Sequence, residues 1–125
     1  MATLALLATL IANTDSIEGY CTYYADGVMG QVADNRGMSL DHFQTGAALN
    51  SPEHLNRTVW IEHEGQIALA RVVDCAQPGA DYDKREAQGY IAEVDYATAL
   101  LWDTTQGPFE CELHFELPEM ERVAW

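Results

Sequence analysis

Apolar and polar positions alternate in short runs along most of this chain, and the runs are too brief for long helices. In "GYCTYY" (19–24) Tyr20, Thr22 and Tyr24 fall on one side and Cys21 and Tyr23 on the other, the period-two signature of a half-buried strand. "RTVWIEHEGQIALARVVD" (57–74) reads as a hairpin, with strands at 58–62 and 67–74 around a tight "HEGQ" turn containing Gly65. "FECELHFEL" (109–117) alternates strictly and places Phe109, Cys111, Leu113, Phe115 and Leu117 inward. "TGAALN" (45–50) and "IAEV" (91–94) add two short apolar pieces. "YATALLW" (96–102), just after Asp95, reads as one short helix.

The remaining segments read as connections. "ADGVMGQVADNRGMSL" (25–40) is rich in Gly and Asp and predicts loops and turns, with room for one short strand. "PGADYDKREAQGY" (78–90) predicts a polar surface loop, "QGP" (106–108) breaks the chain, and "PEMERVAW" (118–125) suggests a further short element. No repeat or low-complexity tract is present. Many short strands with one brief helix point to a small closed barrel rather than a sandwich, because closure removes the edges that would otherwise pair with other chains.

The opening "LALLATLIA" (4–12) is apolar but too short for a membrane span, which needs about 20 residues. It has the apolar run of an export signal without the basic leader, so 1–16 is either a signal-like segment or an N-terminal packing element. Residues 17–125 are then a single domain. "NRT" (56–58) matches the N-glycosylation pattern.

Charge narrows the partners. Among 125 residues, 6 are Lys or Arg and 20 are Asp or Glu, a formal net charge of −14. Such a surface repels phosphate backbones, which excludes nucleic acid, and it disfavours anionic membranes and anionic wall polymers. A neutral partner fits better, and neutral polysaccharide is one. The 3 cysteines allow one internal disulfide and one free thiol, and no C-x-x-C occurs. His42, His54, His63 and His114 are scattered without an i, i+4 pair, and "DYD" (81–83) lacks the rest of a calcium loop, so no metal is expected.

Three stretches taken together resemble a known family. "GYCTYY", "ARVVDCAQP" (70–78) and "EVDYATALLW" (93–102) are similar in order and spacing to the double-psi β-barrel of expansins and rare lipoprotein A. "GAALN" (46–50) and "RTVWIE" (57–62) look like two further segments of that family. The chain departs from it at Arg57, where glycine is usual, in "DCAQP", at Ala76 and at Tyr96. The resemblance implies an all-β, six-stranded double-psi barrel with one or two short helices. It implies a secreted or cell-envelope module that acts on wall polysaccharide, peptidoglycan or a cellulose-like glycan, as an expansin or a lytic transglycosylase does. The runner-up is a non-catalytic carbohydrate-binding or protein-inhibitor domain on the same barrel.

Under that resemblance Thr22, Asp74 and Asp95 are the candidate catalytic residues. Asp95, among Ile91, Val94 and Tyr96, takes the acid role, because apolar surroundings favour the protonated carboxyl. Asp74 orients it or shares its proton, and Thr22 hydrogen-bonds one of them. The ordinary structural roles are a helix N-cap for Asp95, a strand-end turn for Asp74 and packing for Thr22. Tyr20, Tyr24, Trp60 and Trp102 are candidates for stacking on sugar faces, with core packing as their usual alternative. If Thr22 and Asp74 meet, their neighbours Cys21 and Cys75 are the expected disulfide pair, with Cys111 as the alternative partner. No cofactor is implied, and the domain is expected to be a monomer.

Overall fold

A computed structural model describes residues 16–76 and 80–117 of the chain. The apolar stretch at 4–12, expected as a signal-like or packing segment, and the expected element at 118–125 lie outside the described residues. The described chain runs β1 (Ser16–Tyr23), α1 (Val28–Asn35), β2 (Thr45–Leu49), a 3-10 turn (Pro52–His54), β3 (Thr58–His63), β4 (Gln66–Cys75), α2 (Ala80–Ala87), β5 (Tyr90–Val94), α3 (Tyr96–Leu101) and β6 (Phe109–His114). The strands close into a barrel in the order β1-β5-β2-β4-β3-β6. The expected small, closed, six-stranded all-β domain is therefore observed, with three short α-helices among the described residues rather than one or two.

The pairing has an internal two-fold. β1 runs parallel to β5, and β4 runs parallel to β2. β1 is antiparallel to β6 as β4 is to β3. The β2–β5 and β3–β6 pairs are both antiparallel. Advancing every strand by three places in the chain therefore reproduces every neighbour and every direction. Both parallel pairs also carry a register shift, at Tyr20/Cys21 and at Ala47/Ala48, with the extra residue on β5 in one pair and on β4 in the other, strands that the two-fold does not exchange.

The inner face follows from alternation. Cys21, Ala47, Val59, Ile61, Ala70, Val72, Ala92 and Val94 are fully buried and form the main core cluster. Alanines at 47, 68, 70 and 92 suit a six-stranded barrel, whose narrow interior has no room for large side chains at every inward position. Glu64 (φ 49°) and Gly65 (φ 80°) make the two-residue left-handed turn that a tight hairpin requires, as the β3–β4 sequence predicts.

Two helices stand where loops were expected. α1 forms because Met29 and Ala33, one turn apart, dock on Val73 outside the barrel in a second cluster. Gly46 permits that approach, since a Cβ there would lie 2.8 Å from Met29 Cγ. α2 occupies 80–87 of the expected polar loop. β6 ends at His114, short of the expected 117, and Leu117 is exposed.

Gly19 sits at a close approach in the β1–β5 seam. A Cβ at this position would lie 2.7 Å from the Gly89 carbonyl oxygen and 2.8 Å from Ile91 Cγ2. That carbonyl accepts the Tyr20 N–H at 2.9 Å, so it cannot withdraw without losing the bond. Gly19→Ala is expected to destabilise the barrel by about 1–3 kcal/mol, the usual cost of overpacking. A urea denaturation midpoint unchanged from wild type would contradict this.

Candidate functional site

Four neighbouring strands bring one transverse row of residues together. Thr22 on β1 stands opposite Glu93 on β5. Glu93 stands opposite Ala48 on β2, and Ala48 stands opposite Asp74 on β4. The two-fold of the barrel relates Glu93 to Ala48 and Thr22 to Asp74, so the row straddles the axis. Ala48 is the small member. With Tyr24, Asp74, Cys75, Arg85 and Glu93 it lines a cavity of about 230 Å³.

Asp74 is held from three sides. Tyr24 donates its hydroxyl to Oδ2 at 2.6 Å, and Arg36, just past the end of α1, donates Nη2–H to Oδ1 at 3.1 Å. The Cys75 N–H also donates to Oδ1, at 3.0 Å. Burial and the bond to Asp74 push the Tyr24 hydroxyl well above its ordinary pKa of 10.0, so Tyr24 stays protonated and remains a donor.

Glu93 has a different environment. Burial raises its pKa above the ordinary 4.5, and the nearby Asp74 charge adds to that. Arg85 and the Thr22 hydroxyl oppose the rise without cancelling it. Arg85 reaches Glu93 from α2, with Nη1 2.7 Å from Oε1, and its Nε donates to Asn50 Oδ1 at 3.3 Å. Two carboxyls with divergent environments therefore share one small polar cavity, the arrangement that separates acid and base roles in catalytic sites.

Of the residues singled out in the sequence, Thr22, Asp74 and Tyr24 belong to this constellation. Asp95 does not line the cavity. It precedes α3, its N–H donates to Thr45 Oγ1 at 3.0 Å, and its carbonyl accepts the N–H groups of Thr98 and Ala99. Its carboxylate makes no capping hydrogen bond. The reason is direction. β5 runs antiparallel to β2, so its end lies beside the start of β2, whereas Asp74 lies beside Ala48 near the end of β2. Glu93, two residues earlier, faces Ala48 itself.

The proposed aromatic platform is dispersed. Tyr20 is exposed near Glu18 and Glu110, outside the cavity, and Trp60 lies half-buried on β3. Trp102 is a core side chain, 6% exposed, packed edge-on to Phe109 and tilted against His63, so it offers no free face to a sugar. The disulfide is also a correction: Cys21 is bonded to Cys111, and Cys75 is a free thiol. Cys21 and Cys111 both point into the core from adjacent strands, whereas β5 and β2 separate β1 from β4.

Glu93, Arg85 and Arg36 were not singled out from sequence. A signal existed in the scarcity of cations: Arg36 and Arg85 are two of only 6 Lys and Arg in the chain, and both attend a cavity carboxylate. No protein-family model matches the chain, and comparison with curated proteins likewise gives no match.

Proposed function

We propose that this barrel is of the double-psi kind and that it acts on cell-wall polysaccharide through the Asp74–Glu93 cavity. The parallel β1–β5 and β2–β4 pairs, related by the two-fold, support the first part. The observation that carries the second is the pair of unlike carboxyls flanking Ala48 in one cavity. Their backbones stand two strand spacings apart, about 10 Å, which leaves room between them for a glycosidic oxygen. Glu93, with its raised pKa, gives its proton to that oxygen as the bond to the anomeric carbon breaks. Asp74, fixed by Tyr24 and Arg36, supplies negative charge beside the positive charge growing on the sugar ring. A hydroxyl of the same sugar attacks the anomeric carbon, and the Glu93 carboxylate takes back its proton, so one carboxyl serves as acid and then base. The disulfide supports a secreted or envelope location, and the charge of −14 favours an uncharged glycan.

One observation favours a second reading, a binding module without turnover: the 2.7 Å Arg85–Glu93 ion pair occupies the acid in the unliganded protein. Co-sedimentation with insoluble cellulose, chitin and peptidoglycan, followed by assay of the supernatant for released fragments, separates the two. Pelleting with release is the expected result. Pelleting without release leaves the binding reading, and neither with any glycan overturns both.

A further inference from the structure

A second cluster of ligating groups lies on the outer face of β1, β6 and β3, away from the cavity. Glu18 stands directly opposite Glu112, and Glu112 directly opposite Glu62, so three carboxylates form one row across three strands. Like charges in directly opposed positions destabilise a sheet. Beside the row is a cavity of about 420 Å³ whose lining adds Glu64 and Glu110 and includes no Lys or Arg. His114 makes this more than an acidic patch. It follows Glu112 by two residues and therefore shares its face of the strand. Its side chain is only 10% exposed, and Nε2 is aimed at the row, 2.9 Å from Glu62 Oε1 and 3.8 Å from Glu112 Oε2.

We propose that Glu62, Glu112 and His114 form a binding site for a divalent transition-metal cation of the zinc class. One donor atom from each lies within 4.8 Å of the other two. Ligands bound to a common zinc at about 2.0–2.2 Å stand roughly 3.4 Å apart in a tetrahedron. The two separations from Nε2, 2.9 and 3.8 Å, fall on either side of that value, and the third lies within 4.8 Å, so side-chain rotations bring the donors to it. An imidazole nitrogen with two carboxylates suits zinc-like ions, whereas calcium and magnesium seek oxygen-only shells of six or more. The His114–Glu62 contact alone engages one carboxylate of the row. A dication engages Glu62 and Glu112 together and lowers the repulsion from Glu18. Glu62 and Glu112 also line the acid-rich cavity. Glu112 and His114 escape the usual search for paired ligands because they are spaced for a strand, two residues apart, and the third ligand comes from another strand.

Titration of the full chain with zinc chloride in a calorimeter tests the site. One zinc per chain is expected, with at least tenfold weaker binding in Glu112→Gln and in Glu62→Gln. Glu64→Gln, which alters the same cavity without removing a ligand, should bind within twofold of wild type. Cobalt should give the visible absorption of a four-coordinate site in wild type and lose it in Glu112→Gln. Because His114 is buried and its replacement risks unfolding the strand, the decision rests on Glu112→Gln protein whose near-ultraviolet circular dichroism matches wild type. Absence of saturable binding, an unchanged affinity in Glu112→Gln, or equal displacement of zinc by calcium would each overturn the proposal.

Discussion

Glu93→Gln is expected to lower glycan cleavage at least a hundredfold and leave the barrel folded. Glutamine fills the same space, and its amide oxygen can still accept from Thr22 and Arg85, but it has no acidic proton to give. Loss of a positioned general acid costs about 10²–10⁴ in rate. Thermal melts should carry a matching pH signature. Burial raises the pKa of Glu93 in the folded protein above the ordinary 4.5, so the folded state binds this proton more tightly than the unfolded state. The stabilisation from protonation is absent above the raised folded pKa, grows as pH falls toward 4.5, and is complete below it. Wild type should therefore gain stability relative to Glu93→Gln as pH falls through that window. Asp95→Ala is the control. Its carboxylate makes no capping bond and does not line the cavity, so full activity and a loss of at most about 0.5 kcal/mol are expected. Loss of activity in Asp95→Ala with full activity in Glu93→Gln would move the acid role to Asp95.

The contrast between Glu93 and Asp95 shows where sequence reading stops. Alternation was legible wherever one face of a strand packs inward: Cys21 and Tyr23 in β1, Val59 and Ile61 in β3, and Phe109, Cys111 and Leu113 in β6 all face the core. The hairpin was legible because a glycine marks its turn. α1 was not, because its segment is rich in Gly and Asp and the helix is fixed by Met29 docking on Val73 and Gly46, contacts distant in sequence. Strand order was not legible either. β5 inserts between β1 and β2, and that single insertion decides which carboxylate meets Asp74. Asp95 ends its strand as Asp74 nearly ends its own, and the similarity suggested convergence. Antiparallel pairing of β5 with β2 sends them apart and leaves Glu93, an ordinary outward residue between Ala92 and Val94, to face the cavity. The two-fold likewise leaves no repeat in the sequence, since it relates neighbours and directions rather than side chains.

Removal of the Cys21–Cys111 bond is expected to be the most destabilising single chemical change to the domain. The two cysteines are 90 residues apart, and the bond joins β1 to β6, the first and last of the described strands. In the chain-entropy account, freeing a loop of that length raises the entropy of the unfolded chain by an amount worth about 4–5 kcal/mol at room temperature. Typical domains have about 5–15 kcal/mol in all, so a large share of the stability is at stake. Burial adds to the effect, because Cys21 is 0% and Cys111 7% exposed, and reduction leaves two thiols where one bonded pair was packed. Disulfide exchange offers little rescue, because Cys75 lies on β4, outside the β1–β6 seam. Urea denaturation of the Cys21→Ala/Cys111→Ala protein should therefore lose several kcal/mol relative to oxidised wild type. Wild type in reducing agent should show a comparable loss, while Cys75→Ala should keep the wild-type midpoint. A loss in Cys75→Ala as large as that in Cys111→Ala would mean that Cys75 takes part in the bond and that the β1–β6 seam is closed by packing and hydrogen bonds alone.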